Sequence, residues 1–220
     1  MTTNGLHMTH LPHPEAAAGV LQEAEAWAGA ARLVFRQGEE IYAQNEDADL
    51  IYRLVRGAVR TSHLLADGRR QIGDFYYDGD VLGVEIGSTH RFSAEALGDC
   101  EIVAIRRSGS AAYQSGRLDR MIWQATASEL QRAQSHMLLL GRATASEKVA
   151  RFLLDIADRF RGDLVALPMG RQDMADYLGL TIETISRMLG RLQADGLVEF
   201  VSARKYRIRR FGALTDIAAA

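Results

Sequence analysis

The sequence predicts an α+β fold in which an antiparallel β-roll is followed by one long helix and then by short helices closed by a β-hairpin. Three observations carry this reading. Between Ala31 and Gly116 short β-rich runs are broken by glycines at intervals near ten residues, from Arg117 to Leu140 neither Gly nor Pro occurs, and from Gly170 to Phe200 two apolar helix faces flank a single glycine. A chain of 220 residues exceeds one typical domain of about 100–150, so two modest domains or one large one are expected.

Residues 1–30 form the first part. The stretch 1–14 holds Pro12, Pro14 and three of the six histidines without periodicity and reads as an arm; residues 15–30 read as a short helix, with Val20, Ala24 and Trp27 on one face. Residues 31–116 form the roll. Its runs RLVFRQ, EIYA, LIYRLVRG, AVRTSHLL, RQIGDFYY, FSAEAL and CEIVAIR read as strands, and Asp67-Gly68 as a hairpin turn in which glycine supplies the positive φ. Gly38, Gly57 and Asp78-Gly79-Asp80 mark further turns. Residues 117–142 form a helix on which Trp123, Ala127, Leu130, Gln134 and Met137 step by 4, 3, 4 and 3, the spacing of a coiled-coil seam. The same stripe could instead lie on the roll; leaving a β domain, a helix this long favours the dimer seam.

The remaining part is 143–220. Thr144 to Arg161 reads as a helix whose Val149, Phe152, Leu153, Ile156 and Phe160 form a core stripe, and Gly162 ends it. Beyond Pro168, Met174, Ala175 and Leu178 give a short apolar face, Gly179 breaks it, Thr181 supplies an N-cap hydroxyl, and Ile185, Met188, Leu189 and Leu192 give a second face. Two helices joined by a tight glycine turn form the helix-turn-helix pattern. In that geometry the second helix enters the major groove of double-stranded DNA, where Thr181, Ile182, Glu183, Ser186 and Arg187 face outward. Arginine bonds guanine bidentately and glutamate accepts from the cytosine amino group. Glu183 and Arg187 also stand four residues apart, the spacing of a surface ion pair that would orient the arginine. After Gly196, LVEFV and KYRIR read as two strands joined at Ser202-Ala203-Arg204, a wing carrying Arg204, Lys205, Arg207, Arg209 and Arg210 for phosphate contact.

The whole-chain charge conceals this partner. A net charge of −2 argues against nucleic acid, yet residues 1–141 carry 13 basic and 18 acidic side chains whereas residues 142–220 carry 13 and 10. The reader of DNA is thus the basic end of the chain. Of the 26 basic residues only Lys148 and Lys205 are lysines, which suits planar recognition of phosphate and base edges. The lone Cys100 supports neither an intrachain disulfide nor a four-cysteine cluster. No cationic leader precedes an apolar run at the N-terminus and no run of about 18 apolar residues occurs, so a cytoplasmic protein without a membrane partner is expected.

GLTIETISRMLGRLQADGLV resembles the recognition region of the CRP/FNR superfamily of bacterial transcription regulators, and the core Glu183 to Arg187 is similar to the variant of its FNR and FixK-type members. VFRQGEEIYAQNEDADLIYRLVRGAVR resembles the first strands of the family's cyclic-nucleotide-binding-like jelly roll. YDGDVLGVEIGSTHRFSAEAL resembles its central turn, and HMLLLGRATASEKVARFLL its dimer-helix end and hinge. The resemblance implies a homodimeric activator that recruits RNA polymerase and reads a palindrome of TTGAT half-sites, in FixK-type members at genes of micro-oxic and anaerobic respiration. It assigns Glu183, Ser186 and Arg187 to base readout and places Arg171 on a phosphate; Thr181, Thr184, Arg204, Lys205 and Arg207 are expected on the DNA backbone beside it.

Two departures bear on effectors. FNR proper holds an iron–sulfur cluster through several cysteines, and this chain has one. Cyclic-nucleotide-binding relatives follow a Gly-x-Glu turn with an Arg-Ser/Thr pair; here Gly83 and Glu85 stand, but the later segment is His90-Arg91-Phe92-Ser93. His63, His90 and His136 raise haem as an alternative effector, without the spacing of a ligand pair. No cofactor is therefore expected. An enzyme built on the roll would need clustered His and carboxylate ligands or a Ser/His/Asp set, and neither pattern occurs.

Overall fold

A computed structural model describes Trp27 and residues 29–107, 117–160 and 162–219. The helix expected over 15–30 falls almost wholly outside the described residues, as does the expected junction at 116. Trp27 itself is buried against Ile51, Ile105 and Met121.

Eight strands build the roll: β1 (Ala31–Phe35), β2 (Glu40–Tyr42), β3 (Leu50–Arg56), β4 (Ala58–Leu64), β5 (Arg70–Tyr77), β6 (Val81–Leu82), β7 (Ser93–Ala96) and β8 (Cys100–Arg106). They pair antiparallel in two four-stranded sheets ordered β1-β8-β3-β6 and β2-β7-β4-β5. Between the sheets lie Leu54, Val59, Leu82, Ala94 and Ile102, each at most 2% exposed. A fully buried aliphatic side chain contributes about 1.5–3 kcal/mol. Gly57 makes the β3–β4 turn at φ +116°, and a Cβ there would stand 2.6 Å from the Cys100 Sγ, so only glycine lets the strands close. Cys100 is a buried thiol bonded to the Ala58 carbonyl, pushed above the ordinary thiol range by desolvation.

The long helix is α1 (Arg117–Arg142). It leads through Ala143 and Thr144 into α2 (Ala145–Arg159), where Thr144 and Glu147 form a capping box. Of the helix expected up to Arg161, the described part ends at Arg159, where Phe160 turns into extended backbone at φ −107° and ψ 121°; residue 161 lies outside the described residues. Then follow β9 (Val165–Ala166), α3 (Arg171–Leu178), α4 (Ile182–Ala194), β10 (Val198–Ser202), β11 (Lys205–Ile208) and α5 (Phe211–Ala219). The wing is a three-stranded sheet, because Val165 and Ala166 pair with Tyr206 and Lys205. Neither β9 nor α5 was legible as an element. Tyr206 is fully buried and its hydroxyl donates to the Leu153 carbonyl, fixing the wing to α2.

One apolar cluster crosses from the roll to the helical unit. Ile72, Phe75 and Tyr77 of β5 belong with Phe152 and Leu153 of α2, Leu178 of α3 and Ile185 and Leu189 of α4. Phe75 meets Phe152 edge-on at 6.1 Å and Tyr177 at 5.2 Å.

Candidate nucleic-acid interface

The turn between α3 and α4 follows from two residues. Gly179 adopts the left-handed conformation at φ 62° and ψ 40° and closes α3 with its N–H on the Ala175 carbonyl. Two residues later the Thr181 hydroxyl accepts from the Thr184 N–H at 3.2 Å and starts α4. Ile185, Leu189 and Leu192 then point inward, each at most 3% exposed, which turns Ile182, Glu183 and Arg187 outward. Thr184 and Ser186 are half-buried beside them. A short apolar face thus fixes which face of α4 is left for a ligand.

Electrostatics sharpen the reading face. Glu183 is held below the usual carboxylate range by its own backbone N–H and by the Thr181 hydroxyl, in the first turn of α4 where the helix dipole favours a negative charge. Among the described residues it makes no ion pair with Arg187, so the expected orienting pair is absent and Arg187 stands exposed. The physical reason is competition: the backbone N–H and the Thr181 hydroxyl at the helix start engage the Glu183 carboxylate. Arg171, at the first position of α3, donates from Nη1 to the Ser186 Oγ at 3.2 Å.

The wing arginines divide into two groups. Arg204 donates to the Pro168 carbonyl and Arg209 pairs with Glu199, so both are held by the protein. Lys205 and Arg210 are exposed and Arg207 is half-buried, aligned with Glu199 across the hairpin.

On α1 the predicted stripe faces away from the roll. Trp123 is 74% exposed, Leu130 58% and Met137 65%, and Ala127 and Gln134 are exposed between them. The opposite side carries the contacts inward: Met121 is buried, Arg132 Nε bonds Asp74 Oδ2 of β5 at 2.5 Å, and His136 Nε2 meets the Tyr177 carbonyl of α3 at 2.7 Å.

A β-roll joined through a long helix to a winged helix-turn-helix whose recognition helix is open defines a DNA-binding transcription regulator. Residues 147–217 match the Crp-like helix-turn-helix domain, and residues 32–112 the cyclic nucleotide-binding domain. The chain is 44% identical over 189 residues to the nitrogen fixation regulation protein FixK of Azorhizobium caulinodans, covering 82% of this chain and 76% of that protein. Against the FixK of Rhizobium meliloti the identity is 40% over 189 residues, covering 84% and 87%. The solved structure of FixK2 from Bradyrhizobium japonicum superposes with a TM-score of 0.82 at 46% identity, covering 87% of this chain and 98% of that one. The chain belongs to the CRP/FNR family of transcription regulators, as a FixK-like member, and is not an enzyme.

In the roll, the side chains that a cyclic nucleotide would use are engaged with one another. Between the roll, α1 and α3 lies a cavity of about 250 Å³ lined by Tyr42, Glu85, Arg91, Phe92, Glu129 and Arg132 among others. Arg91 is turned onto Glu85, with Nε–Oε2 at 3.2 Å and its backbone N–H on Oε1 at 3.0 Å, so a phosphate and a ribose would each find their partner taken. Phe92 brings a ring where a hydroxyl would be needed, packed so tightly that a Cβ on Gly73 would stand 2.7 Å from it. Arg132 is likewise bound to Asp74. Among the described residues no group of His, Cys, Asp and Glu could hold a metal ion, and no helix is long and apolar enough to cross a membrane.

Sequence reasoning missed Arg60, Arg70, Asp173 and Asp176. Their ion pairs join residues 103 to 113 positions apart, and no local pattern marks such a pairing.

Proposed function

We propose that the protein acts as a homodimeric activator that reads a palindrome of TTGAT half-sites through Glu183, Ser186 and Arg187. Arg171, Thr181, Thr184, Lys205 and Arg207 serve the backbone, and Arg204 acts there by holding the wing. The observation that carries this reading is the joint exposure of the first turns of α4 and of the stripe Trp123, Ala127, Leu130, Gln134 and Met137. An exposed apolar seam along a helix of 26 residues suits a second copy of the chain. Two copies then present two recognition helices, as half-sites one helical turn or about 34 Å apart require. The chain divides at 1–30, 31–116, 117–142 and 143–220 into arm, roll, dimer helix and reader. It works in the cytoplasm beside the chromosome and RNA polymerase, at genes of micro-oxic and anaerobic respiration, with no cyclic nucleotide or iron–sulfur cluster. Resemblance to proteins named for nitrogen fixation regulation and to the transcriptional activatory protein AadR of Rhodopseudomonas palustris supports the role of activator.

Fluorescence anisotropy with a TTGAT palindrome, a half-site and a scrambled duplex tests the reading. Preference for the palindrome over the scrambled duplex supports it; equal binding of all three overturns it. The cavity favours a second reading, an effector-gated sensor of the same fold. Saturable binding of cyclic AMP or cyclic GMP in calorimetry, or a haem absorption band in the purified protein, would establish that reading instead.

A further inference from the structure

Besides the apolar cluster around Phe75 and Phe152 and the ion pair of Arg159 Nη1 with Asp80 Oδ2 at 2.9 Å, two attachments join the helical unit to the roll. One attachment is covalent: α1 passes into α2 through Ala143 and Thr144 alone. The other lies on β4 and β5. Arg60 Nη1 bonds Asp173 Oδ1 at 2.7 Å while its Nη2 bonds Glu95 Oε1 at 2.7 Å. Arg70 Nη2 bonds the same Asp173 oxygen at 2.8 Å, and its Nη2 and Nε grip Asp176 Oδ2 at 2.7 and 2.9 Å. Gln71 adds a bond from Nε2 to the Asp176 carbonyl at 2.9 Å.

The carboxylates are well placed for a clamp. Asp173 is 8% and Asp176 15% exposed at the side chain, so removing one partner leaves a poorly solvated charge behind. Asp173 also accepts the Gly170 N–H at 3.1 Å through its other oxygen, so the residue that caps α3 is the residue the roll holds. The grip is taken on α3, while Thr181, Ile182, Glu183 and Arg187 of α4 stay exposed. A closed clamp therefore leaves the reading face open. It also neutralises two carboxylates on the first helix of the motif, which crosses the phosphate backbone in helix-turn-helix complexes.

We propose that Arg60 and Arg70 are positioning residues for DNA recognition, fixing the helical unit against the roll in the orientation that binds DNA. The inference rests on the chain being a DNA-binding regulator, and its first readout needs no DNA. Spin labels at Gln37→Cys and Ala194→Cys, in a Cys100→Ser chain mixed with excess unlabelled chain, report the distance between roll and helical unit within one protomer. The expected distribution is narrow in the parent and broad in Arg70→Ala and in Asp176→Asn. Affinity for palindromic and scrambled duplexes should fall together by about tenfold in each variant, and the double variant should be little weaker than either single one. Circular dichroism checks folding; if Arg70→Ala is unfolded, the isosteric Asp176→Asn carries the test. An unchanged distribution, or tighter DNA binding in the variants, would overturn the proposal. Loss of preference for the palindrome with a narrow parent distribution would instead strike the half-site reading and leave the clamp standing.

Discussion

Arg171 donates to the Ser186 hydroxyl at 3.2 Å, so a side chain proposed for a phosphate and one proposed for a base edge are partnered with each other. Both are at the surface, Arg171 exposed and Ser186 half-buried, which keeps the bond weak enough to exchange for contacts to a duplex. Arg171→Ala is expected to weaken palindromic and scrambled duplexes alike. A double-mutant cycle with Ser186→Ala should give a coupling below about 1 kcal/mol in anisotropy titrations. A change of sequence preference in Arg171→Ala would move that residue from the phosphate to the bases.

Among the described residues no carboxylate pairs with the exposed Arg187, whose proposed partner is guanine. Arg187→Ala should cost about 1–3 kcal/mol on the palindrome and nearly nothing on a scrambled duplex. Arg207→Ala should weaken both equally and reduce the slope of affinity against salt by about one. Titrations at several salt concentrations separate the two, and an unchanged palindrome preference in Arg187→Ala would remove it from base readout.

The seam on α1 predicts a change of assembly. Leu130→Glu and Met137→Glu place charges on a stripe that is 58% and 65% exposed in one protomer, so the fold should survive and the dimer should not. Sedimentation equilibrium should report monomers, with loss of the palindrome's advantage over a half-site. A dimer that persists in both variants would place the interface elsewhere.

His90 predicts a pH dependence. It is 1% exposed, stacked on Tyr42 with ring centroids 3.8 Å apart, and neither ring nitrogen has a hydrogen-bond partner among the described residues. Burial holds its pKa below the ordinary value, partly offset by Glu85 and Glu46. As pH falls below about 6.5 the unfolded chain takes up the proton before the folded one, so this group's contribution to stability falls on acidification. Thermal unfolding between pH 7 and pH 5 should therefore be less pH-dependent in His90→Phe than in the parent. Parallel curves would show that His90 does not titrate differently on folding.

Much of the architecture could be read from local pattern because local physics decides it. Glycine spacing and β-rich runs marked the strands of the roll, and the Gly179 break with the Thr181 cap marked the helix-turn-helix, since left-handed turns and orphan helix donors restrict which residues can stand there. The two-residue strand β9 escaped because it exists only through its pairing with β11, and the end of α2 moved because Phe160 leaves the helix. The ion pair expected between Glu183 and Arg187 failed for a related reason. Spacing places two side chains within reach, but the donors at the helix start compete for the same carboxylate.

The sequence by itself determined that a basic helix-turn-helix unit follows an acidic roll, which face of α4 is left outward, and that the α1 stripe has seam spacing. Those properties follow from periodicity, capping and charge, all of which act over a few residues. Only the tertiary structure decided that the stripe faces away from the roll, that Arg91 is tied to Glu85, and that Arg60 and Arg70 grip α3. Such contacts depend on which distant surfaces meet, and buried charges find their partners only once the apolar core has brought those surfaces together.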